Sequence, residues 1–407
     1  MALSHNPKIV TDGLALYLDA ANSKSYNSAE NLMDASEDLQ TWSAQNCTYL
    51  ANSATAPDGT TTATAVMATA ADVGHFIARG AVGTTVSNTI YTFSIHLKPK
   101  GALFSSVFFQ PLFKDGTYSY VASWNLTAKT ATTAGTGISS SIEELDDGWF
   151  RVTSTFNSTT GAGTITPLLY IGTYGNILGD GTSGFYMWGV QLERGPNVSK
   201  YTKTTTAAIV RSTAWSDLYS NSITGTLTNV PTYSTINKGG IIFNGTNNYV
   251  TLPSIVTTTL NGSTWTYAGW LYSNTSTVGG AFLGPKGLTK GRCSISVVWS
   301  SAGTISFANE MVATVANTSV SFSNSERFYL CYSYDGTYVR TYKNGVLVGG
   351  PTAYTFTGDC AGPYTLSSSD GSYAWNGPIY NFKLYNRALS AEEVKQNFNA
   401  LRGRYGV

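Results

Sequence analysis

Short rows in which apolar and polar residues alternate recur along the whole chain, and a period of two is what a β-strand with one buried face requires. Leu14, Leu16 and Leu18 alternate with Ala15, Tyr17 and Asp19, and Tyr91, Phe93, Ile95 and Leu97 with Thr92, Ser94 and His96, which directs His96 to solvent. Tyr186, Trp188, Val190 and Leu192 form a third row, and Tyr380, Phe382 and Leu384 a fourth. Around residue 340 two such runs flank Asn344-Gly345. That dipeptide predicts a two-residue hairpin, because a type I′ turn needs positive φ at both central positions. The fold class expected is therefore all-β, built of antiparallel sandwiches. One helix is marked, at the C-terminal end: Ser390-Ala391-Glu392-Glu393 reads as a capping box, and Val394, Phe398 and Leu401 follow as one apolar stripe fit to lie on a sheet. The basic residues Arg402 and Arg404 suit the end of that helix and an exposed tail.

Length and charge narrow the field. At 407 residues the chain is long enough for two or three domains. Only 12% of residues are charged, and 24 basic against 23 acidic side chains leave no global field to draw the chain to nucleic acid or anionic lipid. A coiled coil is excluded on the same ground. No apolar run reaches the length of a signal peptide or a membrane span, so neither conventional export nor a membrane location is expected. Cys47, Cys293, Cys331 and Cys360 are widely spaced and only His5, His75 and His96 could join them. No metal site and no cofactor are expected, and the thiols read as small buried residues.

The last 200 residues resemble the concanavalin A-like, or laminin-G-like, jelly rolls found in many bacteriophage virion proteins. The resemblance rests on Trp215-Ser216-Asp217-Leu218, Gly240-Ile241-Ile242-Phe243-Asn244-Gly245, Tyr334-Asp335-Gly336, Tyr342-Lys343-Asn344-Gly345 and Ile379-Tyr380-Asn381-Phe382-Lys383-Leu384-Tyr385-Asn386-Arg387-Ala388-Leu389-Ser390. Residues 9–22 resemble the opening strand of the same jelly roll, which in that family runs almost directly into the Trp-x-Asp-Leu turn. Here Tyr26 and Trp215 lie far apart, so a second domain is expected inside the first loop. That insert, through Asn31-Leu32-Met33, Ala56-Pro57-Asp58-Gly59, Asp147-Gly148-Trp149-Phe150 and Trp188-Gly189-Val190-Gln191-Leu192-Glu193, resembles a carbohydrate-binding-module-like β-sandwich. The expected organisation is residues 1–28 with 205–407 as a discontinuous jelly roll, and 29–204 as the inserted sandwich.

The resemblance implies a non-enzymatic virion structural protein, a capsid decoration, neck or tail-fibre component assembled in the host cytoplasm. Its implied partners are other virion proteins, copies of itself, and host surface polysaccharide; the jelly roll, which holds both termini, would sit on the particle. The alternative is a glycan-active enzyme or its binding appendage. Glu143-Glu144-Leu145-Asp146-Asp147 offers Glu144 and Asp146 for such chemistry, but the third acid of the glucanase pattern is missing and Trp149 stands nearby. No catalytic residue is assigned. For sugar binding the expected platform is Gln110, Tyr118, Tyr120 and Trp124, with Phe108 beside them, because rings face pyranose planes while amides pair hydroxyls. The turn Asn244 to Tyr249 carries Asn where relatives carry Asp, which leaves structural calcium unsupported.

Overall fold

The computed structural model describes residues 8–407 apart from 87–88, 114–120, 159–162, 173, 220–222, 236–238, 275–281, 287–295, 299–302, 310–312, 315–316, 356–362 and 368–373. The chain is all-β, with antiparallel sheets, two α-helices and two single-turn 3-10 helices among the described residues. It divides into two compact units, residues 1–28 with 212–407, and residues 29–211. Each unit has its own core.

In the discontinuous unit, an eight-stranded sheet runs in the order Thr232–Ser234, Gly240–Asn244, Asn376–Tyr385, Trp265–Tyr272, Arg327–Tyr334, Tyr338–Lys343, Val346–Ala353, with Leu14–Asp19 also paired to Asn376–Tyr385. A five-stranded sheet holds Ala214–Ser216, Thr224–Thr228, Tyr249–Thr251, Tyr364–Leu366 and Leu283–Pro285. Between them Trp215, Trp265, Tyr267, Phe282, Phe382 and Leu384 are buried as one cluster. The Asn344-Gly345 turn has φ of 52° and 77° at its two residues and joins two strands of the large sheet, as a type I′ hairpin demands.

The outer face of that sheet is sealed by the helix Ala391–Tyr405. Its N-terminus is the capping box read from sequence: the Glu393 N–H donates to Ser390 Oγ, and the Ser390 N–H donates to a Glu393 carboxylate oxygen at 2.9 Å. Ser390→Ala should therefore cost about 1 kcal/mol, read as a lower midpoint in urea; an unchanged midpoint would mean that packing alone fixes the helix. The C-terminal end is exposed only in part: Arg402 and Val407 face solvent, but Arg404 is half-buried and Tyr405 buried. Tyr405 is fully buried, its ring 4.5 Å from that of Trp270, and Arg404 grips both carboxylate oxygens of Asp19 at 2.8 and 2.9 Å. The helix continues because Tyr405 extends the apolar stripe by one more turn, and Gly406 closes it in the left-handed region at φ 70°.

The other unit is a sandwich of two six-stranded antiparallel sheets. One, in the order Gly137–Glu144, Phe150–Asn157, Ile90–Lys100, Gly184–Arg194, Ala63–Ala68, Cys47–Ala54, is the longer-stranded. The second runs Thr130–Thr133, Ala122–Asn125, Ser106–Phe109, Leu168–Ile171, Phe76–Ala78, Ser43–Gln45. Phe93 and Phe109 stack across the core at 4.1 Å, among Val107, Leu169, Phe185 and Met187. The first and last segments of this unit are tied together by a buried charge cluster. Glu30, with no exposed surface, accepts from Arg194 Nε at 2.9 Å and lies 3.1 Å from Arg211 Nη2, while Asn31 and Ile209 form a β-bridge.

Three of the four alternating rows change face part-way. Leu14, the pair Tyr186 and Trp188, and Tyr380 pack on the opposite side of their sheets from the remaining members of their rows, each beside a register shift. At Gly189, φ is 63°, which admits the extra residue of a bulge and turns the strand over.

Candidate functional site

The second sheet of the sandwich has an outward face whose side chains form an ordered row. Alternation sends Val107, Phe109, Trp124, Leu169 and Ile77 into the core, so Phe108, Ser123, Tyr170 and Phe76 point out. Register aligns them directly: Gln45 opposes Phe76, Phe76 opposes Tyr170, Tyr170 opposes Phe108, Phe108 opposes Ser123, and Ser123 opposes Thr132. One residue from each of six strands makes a line across the sheet about 24 Å long, at roughly 4.8 Å per strand. Its centre is aromatic and its two ends are polar.

Local contacts fix the row. The Phe76 and Tyr170 rings are 4.9 Å apart, and Tyr174, 57% exposed, meets Tyr170 edge-on at 5.1 Å. The Tyr170 hydroxyl donates to Gln110 Oε1 at 3.1 Å, and the Ser123 and Thr132 hydroxyls are 2.6 Å apart. Phe76, Phe108 and Tyr170 are half-buried, so each is held in place and still offers apolar surface. The six strands contain no Lys, Arg, Asp or Glu. Hydroxyls, amides and ring faces without charge are the groups that bind the hydroxylated edges and apolar faces of sugars.

The residues expected at a platform distribute as follows. Phe108 is on the row, and Gln110 is buried beside it with its amide oxygen bound to Tyr170, a positioning role. Trp124 is not on this surface: it points into the core with no exposed area, donating Nε1–H to the Thr153 carbonyl at 3.2 Å. Its parity decides this, since it lies one residue from outward Ser123. Tyr118 and Tyr120 lie outside the described residues. The sequence reading missed Phe76, Tyr170 and Gln45, because each comes from a different, distant strand and only pairing makes them neighbours.

The longer-stranded sheet carries a second aromatic group on its own outer face. Trp188, Trp149, Tyr186 and Tyr201 pack together there, with Trp188 and Tyr201 rings 4.6 Å apart. His96 belongs to this group rather than to solvent. It is 5% exposed and packs edge-on against Trp188 at 5.1 Å and Tyr201 at 5.9 Å, because residues around Tyr201 cover the face that alternation had left open. Burial, and then the neighbouring Arg151 guanidinium, push its pKa down from 6.5 to about 4. The unfolded chain takes up this proton below 6.5 but the folded chain only below about 4, so stability is lost as pH falls through that window. Urea midpoints should drop between those two pH values, less steeply for His96→Phe; parallel slopes would overturn the assignment.

Close by, Glu37, Asp38, Gln40, Asn52, Thr62 and Lys203 line a groove of about 380 Å³. Glu37 is already neutralised there by Lys203 at 2.6 Å and receives the Tyr201 hydroxyl at 3.2 Å. The acidic run is a solvated turn. Glu144 ends an exposed strand and pairs with Lys129 at 2.7 Å, both side chains more than half exposed, and Asp146 and Asp147 lie in a single 3-10 turn. Trp149 is buried and donates to the Thr55 carbonyl. In the Asn244 turn the Oδ1 atom accepts the backbone N–H groups of Thr246, Asn247 and Asn248 at 3.0 to 3.2 Å, so that oxygen serves to close the turn. No group of three His, Cys, Asp or Glu residues suited to a metal occurs among the described residues. Cys331 is buried and Cys47 half-buried with its thiol pushed up to about 12 by burial; Cys293 and Cys360 lie outside the described residues.

No curated protein matches the chain in sequence. Solved structures similar to it include domain 4 of AbnA, a GH43 extracellular arabinanase from Geobacillus stearothermophilus, in complex with arabinotriose, at 18% identity and a TM-score of 0.38, over 45% of this chain and 91% of that one. The binding domain of botulinum neurotoxin DC in complex with SialylT is similar at 14% identity and a TM-score of 0.35, over 45% and 48%. Trypanosoma rangeli sialidase in complex with the inhibitor DANA is similar at 12% identity and a TM-score of 0.36, over 74% and 52%. The chain thus spans about half the length of the neurotoxin and sialidase chains it matches. Residues 244–395, within the discontinuous unit, match the family described as the Concanavalin A-like lectin/glucanases superfamily. With the sheets described above, that match gives this segment a concanavalin A-like lectin/glucanase fold.

Proposed function

We propose that the chain is a non-enzymatic glycan-binding protein on the surface of a tailed-phage particle, and that residues 29–211 form a carbohydrate-binding-module-like sandwich inserted in a lectin-like jelly roll. The observation that carries the binding reading is the six-residue row from Gln45 to Thr132, with three ring side chains at its centre on a sheet without charge. The particle surface is supported by the sequence motifs alone. There the chain would be held by other virion subunits or by copies of itself, and would meet host polysaccharide. Binding without turnover is supported by the acidic run, whose Glu144 is engaged by Lys129 in an exposed setting rather than set in a cleft. Retention of the intact chain by immobilised polysaccharides, compared with a Phe76→Ser, Phe108→Ser variant, tests the site. Equal retention of the two proteins, or none by the wild type, would remove the reading.

A further inference from the structure

We infer that the ligand of the Gln45 to Thr132 row is the interior of an uncharged, extended glycan chain running across the strands. The inference rests on the glycan-binding reading above and adds the class of sugar to it. Three observations carry it.

The first is charge. The chain has 24 basic and 23 acidic residues, yet none lies in the six strands of this sheet. A uronate, sulfate or sialate laid on this row would lose part of its hydration and find no cation in the six strands in return, which costs free energy. Uncharged hydroxyls lose less and regain it from the amide of Gln45 and the hydroxyls of Ser123 and Thr132.

The second is shape. Both ends of the row lie on edge strands, Ser43–Gln45 and Thr130–Thr133, where Gln45 and Thr132 are exposed. A site that recognises a chain end encloses the terminal ring, whereas among the described residues this surface is open at both edges of the sheet and lets a chain run past.

The third is spacing. Phe76, Tyr170 and Phe108 come one per strand, so apolar surface recurs about every 4.8 Å along the row. A ring in an extended β-linked chain advances by about one such step, which sets successive apolar ring faces against successive side chains.

The test uses the full chain and three sets of probes in calorimetric titration, at low and at high salt. One set is neutral β-linked gluco- and xylo-oligosaccharides of two to six rings. The second is the same oligosaccharides blocked at the reducing end, and the third is polygalacturonate, hyaluronate and heparin. The expected result is affinity that rises about tenfold or more from two rings to five, is the same for blocked chains, and is indifferent to salt. Binding confined to the charged polymers, weakened by salt and lost in Phe108→Ala with Tyr170→Ala, would overturn the ligand class while leaving the row as the site. Equal affinity for two and six rings, or loss on blocking the chain end, would overturn interior binding. No binding of any probe by the wild type would overturn the glycan reading and this inference with it.

Discussion

Replacing Phe108 or Tyr170 by Ala should weaken glycan binding about 30-fold each, the equivalent of roughly 2 kcal/mol for a central aromatic side chain of an interface. The two are directly opposed on neighbouring strands, so their combined loss should depart from the sum of the single effects. The effect should be specific. Both rings are half-buried on an outward face, and truncating them leaves the stacked core pair Phe93 and Phe109 in place, so thermal stability should change far less than affinity. Gln110 gives an independent check. Its Oε1 accepts from the Tyr170 hydroxyl, so Gln110→Ala should raise the dissociation constant by a smaller factor, and combined with Tyr170→Phe it should add little more. Titration of the variants against one neutral polysaccharide decides the matter; wild-type affinity in Phe108→Ala and Tyr170→Ala would remove the row from consideration.

Glu30→Ala should be the most damaging single substitution for the stability of residues 29–211, at about 3–5 kcal/mol. The carboxylate has no exposed surface and lies between Arg194 and Arg211, both less than a tenth exposed. Removing it leaves two guanidinium groups buried without their shared counter-charge. It also unties Glu30, the second residue of this unit, from Arg211, its last. Glu30→Gln keeps the shape and some hydrogen bonds and should fall between the two. Hydrogen exchange resolved by segment is the suitable measurement, because it should show earlier opening in residues 29–211 and unchanged protection in the core around Trp215 and Trp265. Equal protection throughout both units would show that the cluster contributes little.

The parts legible from sequence were those whose signal is local. The hairpin at Asn344-Gly345 and the capping box at Ser390 each carry a signal complete within a few residues. The helix is legible up to Leu401 and less so beyond it: Arg402 is exposed as its charge suggests, but Arg404 looks solvated until Asp19, almost the whole chain away, is folded against it. His96 was misplaced for a related reason. Alternation correctly put it opposite Phe93 and Ile95, but the far side of that sheet is covered by residues near Tyr201, and nothing in the row itself announces a cover.

Alternation and turn chemistry in the sequence alone determined that this chain forms antiparallel sheets with a capped terminal helix, because both act between residues one to four apart. Tertiary structure decided which side of a sheet each residue serves and which residues stand together. A single bulge, such as that at Gly189, reverses the parity of everything beyond it. The row from Gln45 to Thr132 exists only through strand pairing: it takes one side chain from each of six strands, so no stretch of sequence contains it, and register alone brings Phe76, Tyr170 and Phe108 side by side while turning Trp124 inward.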